Sequence, residues 1–288
     1  MPCYHVIGAT GFIGKPLLDA ARRITQTYGT SSRPGGELTH LSFEDPGSFD
    51  YGRISSGDVV FVTAAISSPD VCAKEWDRAW QINVEGTSAF ISQALQRGAQ
   101  IVFFSSDTVY GEREPEFDET AACAPCGEYA EMKRAVEERF EGSSGFKVIR
   151  LSYVFAKNDK FTNYLMNCEK SRTPAEIFHP FFRAPIHRDD VIAGALTLAQ
   201  QWDKFPAGVI NFGGPEILSR IEFAQALKNT VLPVLEFKVT EPDGAFFKNR
   251  PRFISMRSPI LKHLLGRRPR TLAEAAILEL NDPSAREH

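Results

Sequence analysis

The sequence has few of the features that mark membrane, secreted or nucleic-acid-binding proteins. Its apolar runs are much shorter than the roughly 20 residues that a membrane-spanning helix needs, so no membrane partner is predicted. Five cysteines are an odd number and do not form a secreted disulfide framework. The net charge is -3 and the lysines and arginines are scattered, which argues against a nucleic-acid partner. No charged leader precedes the first apolar run, and we expect a cytoplasmic protein.

Metal and redox sites also have little support. Cys123 and Cys126 have the spacing of a redox or zinc-ligand pair, but no second pair or histidine partner accompanies them. We therefore expect two reduced thiols in a proline-containing loop. His187 is expected to pack within the second half of the chain, and no metal is predicted.

Short β-rich apolar runs alternate with helical patterns through the first half of the chain. The strand-like runs are His5–Gly8, Gln26–Ser31, Asp58–Ala64, Gln100–Ser105 and Lys147–Leu151, and the helices include Trp76–Arg97 and Tyr129–Phe140. Strands that alternate with helices predict an α/β fold with a doubly wound parallel sheet.

The pattern loosens after about residue 155. The predicted elements there are helices at Phe161–Cys168, Asp190–Gln201 and Ser219–Lys228, an aromatic loop at Ile177–Ile186 and a strand at Val209–Phe212. Ser219 and Glu222 have the spacing of a capping box. We expect a dinucleotide-binding domain over 1–155 and a smaller C-terminal substrate lobe over 156–288, with the chain re-entering the first domain around 185–212.

Three glycines, Gly8, Gly11 and Gly14, separate the first predicted strand from a helix. A phosphate at a helix N-terminus needs backbone that no side chain obstructs, and Gly14 would let the helix pack close to the strand. The glycines therefore indicate a dinucleotide site. A tight structural turn is the alternative, because glycine triplets are common.

Tyr129 and Lys133 lie four residues apart, on one face of a predicted helix. A nearby ammonium favours the phenolate, which would let the phenol exchange a proton nearer neutral pH. An ordinary amphipathic helix is the alternative interpretation. Ser106 follows a buried strand, and ligands bind at the carboxyl ends of parallel strands. We therefore expect its hydroxyl to face the same cleft as Tyr129.

The region after the second strand bears on the cofactor. A carboxylate at this place binds the ribose hydroxyls of NAD, whereas this chain has Ser32 and Arg33. A guanidinium pairs well with a 2′-phosphate, so NADPH is predicted and NADH is the alternative. A solvated turn residue is the other interpretation of Arg33.

Several motifs in order along the chain resemble those of extended short-chain dehydrogenases/reductases, and most closely the dTDP-4-dehydrorhamnose reductase group. They are Gly8-Ala-Thr-Gly11-Phe12-Ile13-Gly14, Ala64-Ala65, Asn83-Val-Glu-Gly86, Ser105-Ser106-Asp107, Tyr129-x-x-x-Lys133 and Pro185-Ile-His-Arg-Asp-Asp-Val191. The resemblance covers nearly the whole chain and implies a Rossmann-type sheet.

The resemblance also implies a role for each motif residue. Ser106 would hold a substrate carbonyl oxygen, Tyr129 would donate a proton to it, and Lys133 would lower the tyrosine pKa and bind the nicotinamide ribose. The implied cofactor-binding residues are Gly8, Gly11, Phe12, Ile13, Gly14, Ser32, Arg33, Ala64, Ala65, Tyr129 and Lys133. The substrate-binding candidates are Ser106, Asp107, Arg183 and Arg250, with Arg252 as a further cation for a diphosphate.

The implied reaction is NADPH-dependent reduction of a keto group on a nucleotide-activated 6-deoxysugar. Dehydratases of this type carry an Asp-Glu pair, and Asp107-Thr108 stands here instead, which disfavours dehydration. The alternatives are an NAD-dependent nucleotide-sugar 4-epimerase and a non-catalytic NADP-binding regulatory subunit. The two long helices Trp76–Arg97 and Tyr129–Phe140 are candidates for a homodimer interface.

Overall fold

The computed structural model describes residues 2–280, so the last eight residues of the predicted C-terminal lobe lie outside the described chain. The strands are β1 (Tyr4–Ile7), β2 (Thr27–Ser31), β3 (Thr39–His40), β4 (Val59–Val62), β5 (Gln100–Ser106), β6 (Arg113–Phe117), β7 (Phe146–Leu151), β8 (Val154–Phe155), β9 (Ala175–Phe178), β10 (Phe182–Arg183), β11 (Ile186–His187), β12 (Val209–Phe212), β13 (Leu218–Ser219), β14 (Phe237–Thr240) and β15 (Ile254–Met256). The α-helices are α1 (Gly14–Ala21), α2 (Pro69–Lys74), α3 (Trp76–Trp80), α4 (Thr87–Gln96), α5 (Glu128–Arg139), α6 (Lys160–Ser171), α7 (Arg188–Gln200), α8 (Arg220–Thr230), α9 (Leu261–Leu265) and α10 (Leu272–Leu280).

Seven of the strands form a parallel central sheet in the order β12-β7-β5-β4-β1-β2-β3. All four residues of β1 and of β4 are buried, as expected for strands covered on both faces. The predicted Rossmann-type α/β fold is confirmed. Within residues 2–280, every helix falls short of the length and apolar character that crossing a membrane requires.

Apolar side chains pack against both faces of this sheet. On one face the buried residues include Leu17 and Leu18 of α1 with Val191, Ala195 and Leu198 of α7. On the other face they include Phe90, Ile91 and Ala94 of α4 with Met132 and Val136 of α5. The face that carries α5 is the one that brings Tyr129 to the carboxyl ends of the strands.

The helix predicted over Trp76–Arg97 contains a feature that the sequence analysis did not predict. A π-helical turn, Gln81–Gly86, joins α3 to α4. In this turn the Asn83 side chain accepts from the backbone N–H of Ile66 at 2.8 Å and donates to its carbonyl at 2.9 Å. A Cβ at Gly86 would lie 1.8 Å from the Phe43 carbonyl oxygen, so this contact also requires glycine.

The second half of the chain contributes both to the central sheet and to a separate cluster. Strand β12 pairs in parallel with β7 and forms one edge of the sheet. Helices α6, α8 and α10 enclose their own apolar cluster, and the predicted capping box of Ser219 and Glu222 begins α8. The division at residue 155 stays a prediction.

The predicted aromatic loop Ile177–Ile186 is partly wrong. It contains β10, which pairs antiparallel with β13. Local sequence does not reveal a two-residue strand whose partner lies 36 residues away.

Candidate functional site

A cleft of about 590 Å³ opens at the carboxyl ends of β1, β2, β4 and β5. Its lining contains every predicted cofactor residue except Arg33, namely Gly8, Gly11, Phe12, Ile13, Gly14, Ser32, Ala64, Ala65, Tyr129 and Lys133. The fold therefore gathers residues from widely separated motifs around one space.

The glycine turn has the geometry that a phosphate cradle requires. Gly8 has a φ of +87°, and a Cβ there would lie 2.9 Å from Ala64. A Cβ at Gly14 would lie 2.1 Å from the carbonyl oxygen of Gly8. Only residues without a side chain allow this close approach between the turn, β4 and the start of α1. The positive end of the α1 dipole faces the turn, so the cradle fits a dinucleotide pyrophosphate.

Tyr129 and Lys133 lie on the side of α5 that faces the sheet. The buried Lys133 Nζ donates to the carbonyl oxygen of Phe104 on β5 at 2.7 Å and lies 5.8 Å from the centre of the Tyr129 ring. Burial lowers the pKa of Lys133 to about 8. This value leaves the ammonium mostly protonated at neutral pH.

The phenol of Tyr129 behaves differently from what the Tyr–Lys spacing predicts. Burial raises its pKa above the usual value, and the Cys72 thiol and Asp107 carboxyl beside it raise it further. The phenol is neutral at physiological pH, as an ordinary tyrosine is, and the upward shift disfavours its ionised form further, so Tyr129 suits a proton donor better than a base.

Ser106 and Asp107 begin a hydrogen-bonded turn directly after β5. Ser106 Oγ accepts from the Thr108 hydroxyl at 2.9 Å and from the Thr108 N–H at 3.2 Å. The buried Asp107 carboxylate accepts from Ser152 Oγ at 2.8 Å and lies 3.8 Å from Arg183 Nε. Burial raises the pKa of Asp107, and Arg183 counteracts this effect. The lining of the cleft contains Ser105 and not Ser106, so the expectation that the Ser106 hydroxyl faces this cleft stays a prediction.

Several cleft residues were not predicted from the sequence. They include Thr10, Thr30, Leu41, Phe43, Glu44, Thr63, Ile66, Ser67 and Arg78. Arg78 comes from α3 and donates to Glu44 at 2.9 Å and to Glu75 at 3.0 Å. No motif surrounds Arg78, so the sequence carried no signal for it.

Arg33, the predicted cofactor residue outside the cleft lining, is exposed. Its backbone N–H donates to Ser31 Oγ at 3.1 Å at the end of β2.

The predicted substrate arginines have partners within the chain. Arg183 donates to the carbonyl oxygens of Phe182 at 2.6 Å and Pro251 at 2.8 Å. Arg250 donates to Asp70 on α2 at 2.6 Å, and so connects the second half of the chain to the first. These bonds occupy donors that a substrate phosphate would otherwise use.

A further arginine, Arg220, was missed by the sequence analysis. Its guanidinium stacks between the rings of Phe161 and Phe181, at 4.6 Å from each centroid. Burial lowers its pKa, and Arg250 nearby adds to that effect. Among the residues that the structure describes, no hydrogen bond or ion pair occupies the Arg220 guanidinium. It lines a small aromatic pocket together with Arg183.

The prediction that the chain holds no metal stays a prediction, although the fold brings three residue types that can bind metals together. His187, Asp189 and Glu279 place ligand atoms within 4.8 Å of one another, because α10 returns to the start of α7. Arg188 lies 3.7 Å from the Glu279 carboxylate, so this cluster already contains a cation. Cys123 and Cys126 are free thiols, and burial raises the pKa of both.

Comparison with known proteins gives one family and several relatives. The family model described as RmlD substrate binding domain matches residues 4–276. Methionine adenosyltransferase 2 subunit beta of Pongo abelii is 24% identical over 86% of this chain and 78% of that protein. The dTDP-4-dehydrorhamnose reductase of Escherichia coli is 29% identical over 49% of this chain and 50% of that protein.

Among solved structures, MoeE5 in complex with UDP-glucuronic acid and NAD superimposes with a TM-score of 0.79 at 20% identity. The match covers 98% of each chain. At this identity the likeness concerns the fold.

Proposed function

The chain belongs to the RmlD substrate binding domain family, the extended short-chain dehydrogenase/reductase group that its motifs resemble, and from this premise we propose that it is an enzyme that modifies nucleotide sugars. The specific reaction proposed is reduction of a keto group on a nucleotide-activated 6-deoxysugar by NADPH. The observation that carries the proposal is the joint placement of the glycine cradle, Tyr129 and Lys133 around one cleft.

The protonation of the site favours the reductive direction. The neutral phenol of Tyr129 can donate its proton to the substrate carbonyl oxygen as that oxygen gains negative charge, and burial disfavours the ionised phenol that a base would need. Ser106 would donate a hydrogen bond to the same oxygen. When bound, the nicotinamide supplies the hydride. Lys133, held by the Phe104 carbonyl, would supply positive charge near the tyrosinate that remains and contact the ribose.

Substrate recognition would involve the second half of the chain. Arg183 and Arg250 stay candidates for the diphosphate, but both already donate to chain atoms. Arg220 is a stronger candidate in this respect, because two rings position its guanidinium and no residue of the described part of the chain occupies its donors. Asp107 would orient the Ser106 hydroxyl, from which its Oδ1 accepts at 3.4 Å.

NADPH is the proposed cofactor because the end of β2 offers hydroxyls and Arg33 where a carboxylate would select NAD. A cytoplasmic location and a homodimer through α4 and α5 belong to the same proposal.

The decisive experiment measures NADPH oxidation by absorbance against a panel of nucleotide 4-keto-6-deoxysugars. Wild-type protein should oxidise NADPH only when a ketosugar is present, and Tyr129→Phe should reduce kcat at least about 100-fold. Tyr28→Phe, which changes an exposed tyrosine, is the matched control. Wild-type turnover by Tyr129→Phe would refute the role of this residue.

A second candidate is a partner-binding subunit without turnover. It is favoured by the match to a protein named as a subunit of methionine adenosyltransferase, which spans more of this chain than the reductase match does. Tight NADPH binding with no oxidation across the ketosugar panel would favour this candidate over the reductase.

A further inference from the structure

Three polar side chains of α5 follow one another at intervals of four residues, Tyr129, Lys133 and Glu137, and therefore share one helix face. Lys133 and Glu137 are each only 3% exposed. Lys133 is bonded to β5 through the Phe104 carbonyl. Glu137 is bonded to Arg150 on β7, from Nη2 to Oε2 at 2.6 Å and from Nε to Oε1 at 3.2 Å. The helix is thus bonded to the sheet at two successive turns.

The Arg150 contacts continue to the segment that carries Ser106. Its guanidinium carbon lies 4.6 Å from the ring centre of Tyr110. Tyr110 ends the turn Asp107–Tyr110, and its hydroxyl donates to Asn211 Oδ1 on β12 at 2.8 Å. Glu137, Arg150 and Tyr110 therefore connect the helix of Tyr129 with the turn that follows Ser106.

Glu137 Oε2 also accepts from the partly exposed Arg134 at 3.2 Å, whereas Glu137 and Arg150 are both buried, and stability alone does not account for that buried pair. Removing two charges from water is costly, and apolar side chains of similar size often stabilise a fold as well or better. Helix α5 already packs on the sheet through Met132 and Val136. Compared with apolar packing, the pair adds two hydrogen bonds of fixed orientation between α5 and β7. It also places the Glu137 carboxylate one helical turn from Lys133.

We infer that Glu137 and Arg150 are positioning residues, which set the register of α5 against the sheet so that Tyr129 and Lys133 stand at the cleft. The activity readout of this inference rests on the proposed function, whereas its cofactor-binding readout does not. The carboxylate of Glu137 also helps to keep Lys133 cationic.

The charge effect has a definite sign. The groups that face Lys133 are Tyr129 and Glu137 on α5, the Cys72 thiol on α2, and the Phe103 ring and Phe104 carbonyl on β5. Burial lowers the pKa of Lys133, and Glu137 and Cys72 raise it in opposition. Without Glu137, Lys133 should lose its proton at lower pH.

The test compares two neutralised pairs on the same helix. One variant is Glu137→Gln with Arg150→Gln. The matched control is Glu85→Gln with Arg139→Gln, because that pair joins α5 to the preceding π-helical turn through a 2.5 Å bond but is exposed. NADPH affinity is measured by fluorescence titration from pH 6 to 9.5, with kcat where the wild type turns over.

In the buried-pair variant, the pH at which NADPH affinity falls should be lower than in the wild type by about half a pH unit or more. The kcat should fall about tenfold. The control should match the wild type. Arg150→Lys keeps the opposite charges but loses the two-point bond to Glu137. It should therefore lose NADPH affinity at the same pH as the wild type and have a lower kcat. It replaces the double variant if that protein does not fold.

The inference would be overturned if the double variant had the wild-type kcat and lost NADPH affinity at the wild-type pH. It would also be overturned if the exposed-pair control lost affinity at the same lowered pH as the buried-pair variant. If the wild type binds NADPH without turnover, the proposed reduction fails. The pH dependence of NADPH affinity then still tests this inference.

Discussion

Replacing Gly14 by alanine tests the closest backbone contact of the cofactor cradle. The added Cβ would lie 2.1 Å from the Gly8 carbonyl oxygen and 2.9 Å from Thr63 Oγ1. Ordinary contact begins near 3.4 Å, so the start of α1 must move by more than 1 Å. Overpacking of this kind costs about 2 kcal/mol, which for a chain of this length corresponds to a fall in Tm of about 3 °C. The same movement takes the helix N-terminus away from the pyrophosphate, and NADPH Kd should rise at least about tenfold.

The assay pairs thermal unfolding with NADPH titration and uses two graded controls. At Gly11 a new Cβ would lie 3.2 Å from the Gly8 oxygen, so Gly11→Ala should have a smaller effect on stability. At Gly208 a Cβ meets nothing within 4 Å, and Gly208→Ala should behave as wild type. The reasoning is refuted if Gly14→Ala keeps both the wild-type Tm and the wild-type Kd for NADPH.

Three further predictions concern charged groups of the site. Arg33→Ser should weaken NADPH binding about tenfold and leave NADH binding unchanged, and equal losses for both cofactors in parallel titrations would contradict a 2′-phosphate contact. Because the pKa of Lys133 is about 8 and its cationic form is the active one, kcat/KM should decline as pH rises above about 8; a constant kcat/KM up to pH 9.5 would contradict this. Arg220→Gln should weaken binding of a nucleoside diphosphate at least about fivefold by calorimetry while NADPH affinity stays the same, and an unchanged diphosphate affinity would remove Arg220 from the site.

The pattern of apolar residues was sufficient to predict the central sheet, because each strand is marked by its own local sequence. Buried parallel strands are short apolar runs, and the runs around β1, β4, β5 and β7 were found within a few residues of their observed ends. The π-helical turn Gln81–Gly86 and the short strand β10 were missed. Both depend on contacts with distant segments, and neither has a periodicity of its own.

The sequence by itself determined that three glycines follow the first strand and that Tyr129 and Lys133 share one helix face. Both depend only on the spacing of residues along a strand–turn–helix segment or along one helix. The sequence also predicted a lysine that would lower the tyrosine pKa. Only the tertiary structure decided that burial instead raises the pKa of Tyr129 and lowers the pKa of Lys133 to about 8. It also decided that Arg183 and Arg250 bond to the chain, whereas none of residues 2–280 forms a hydrogen bond or ion pair with the Arg220 guanidinium. Desolvation and pairing depend on which distant segments surround a group, and local spacing does not specify them.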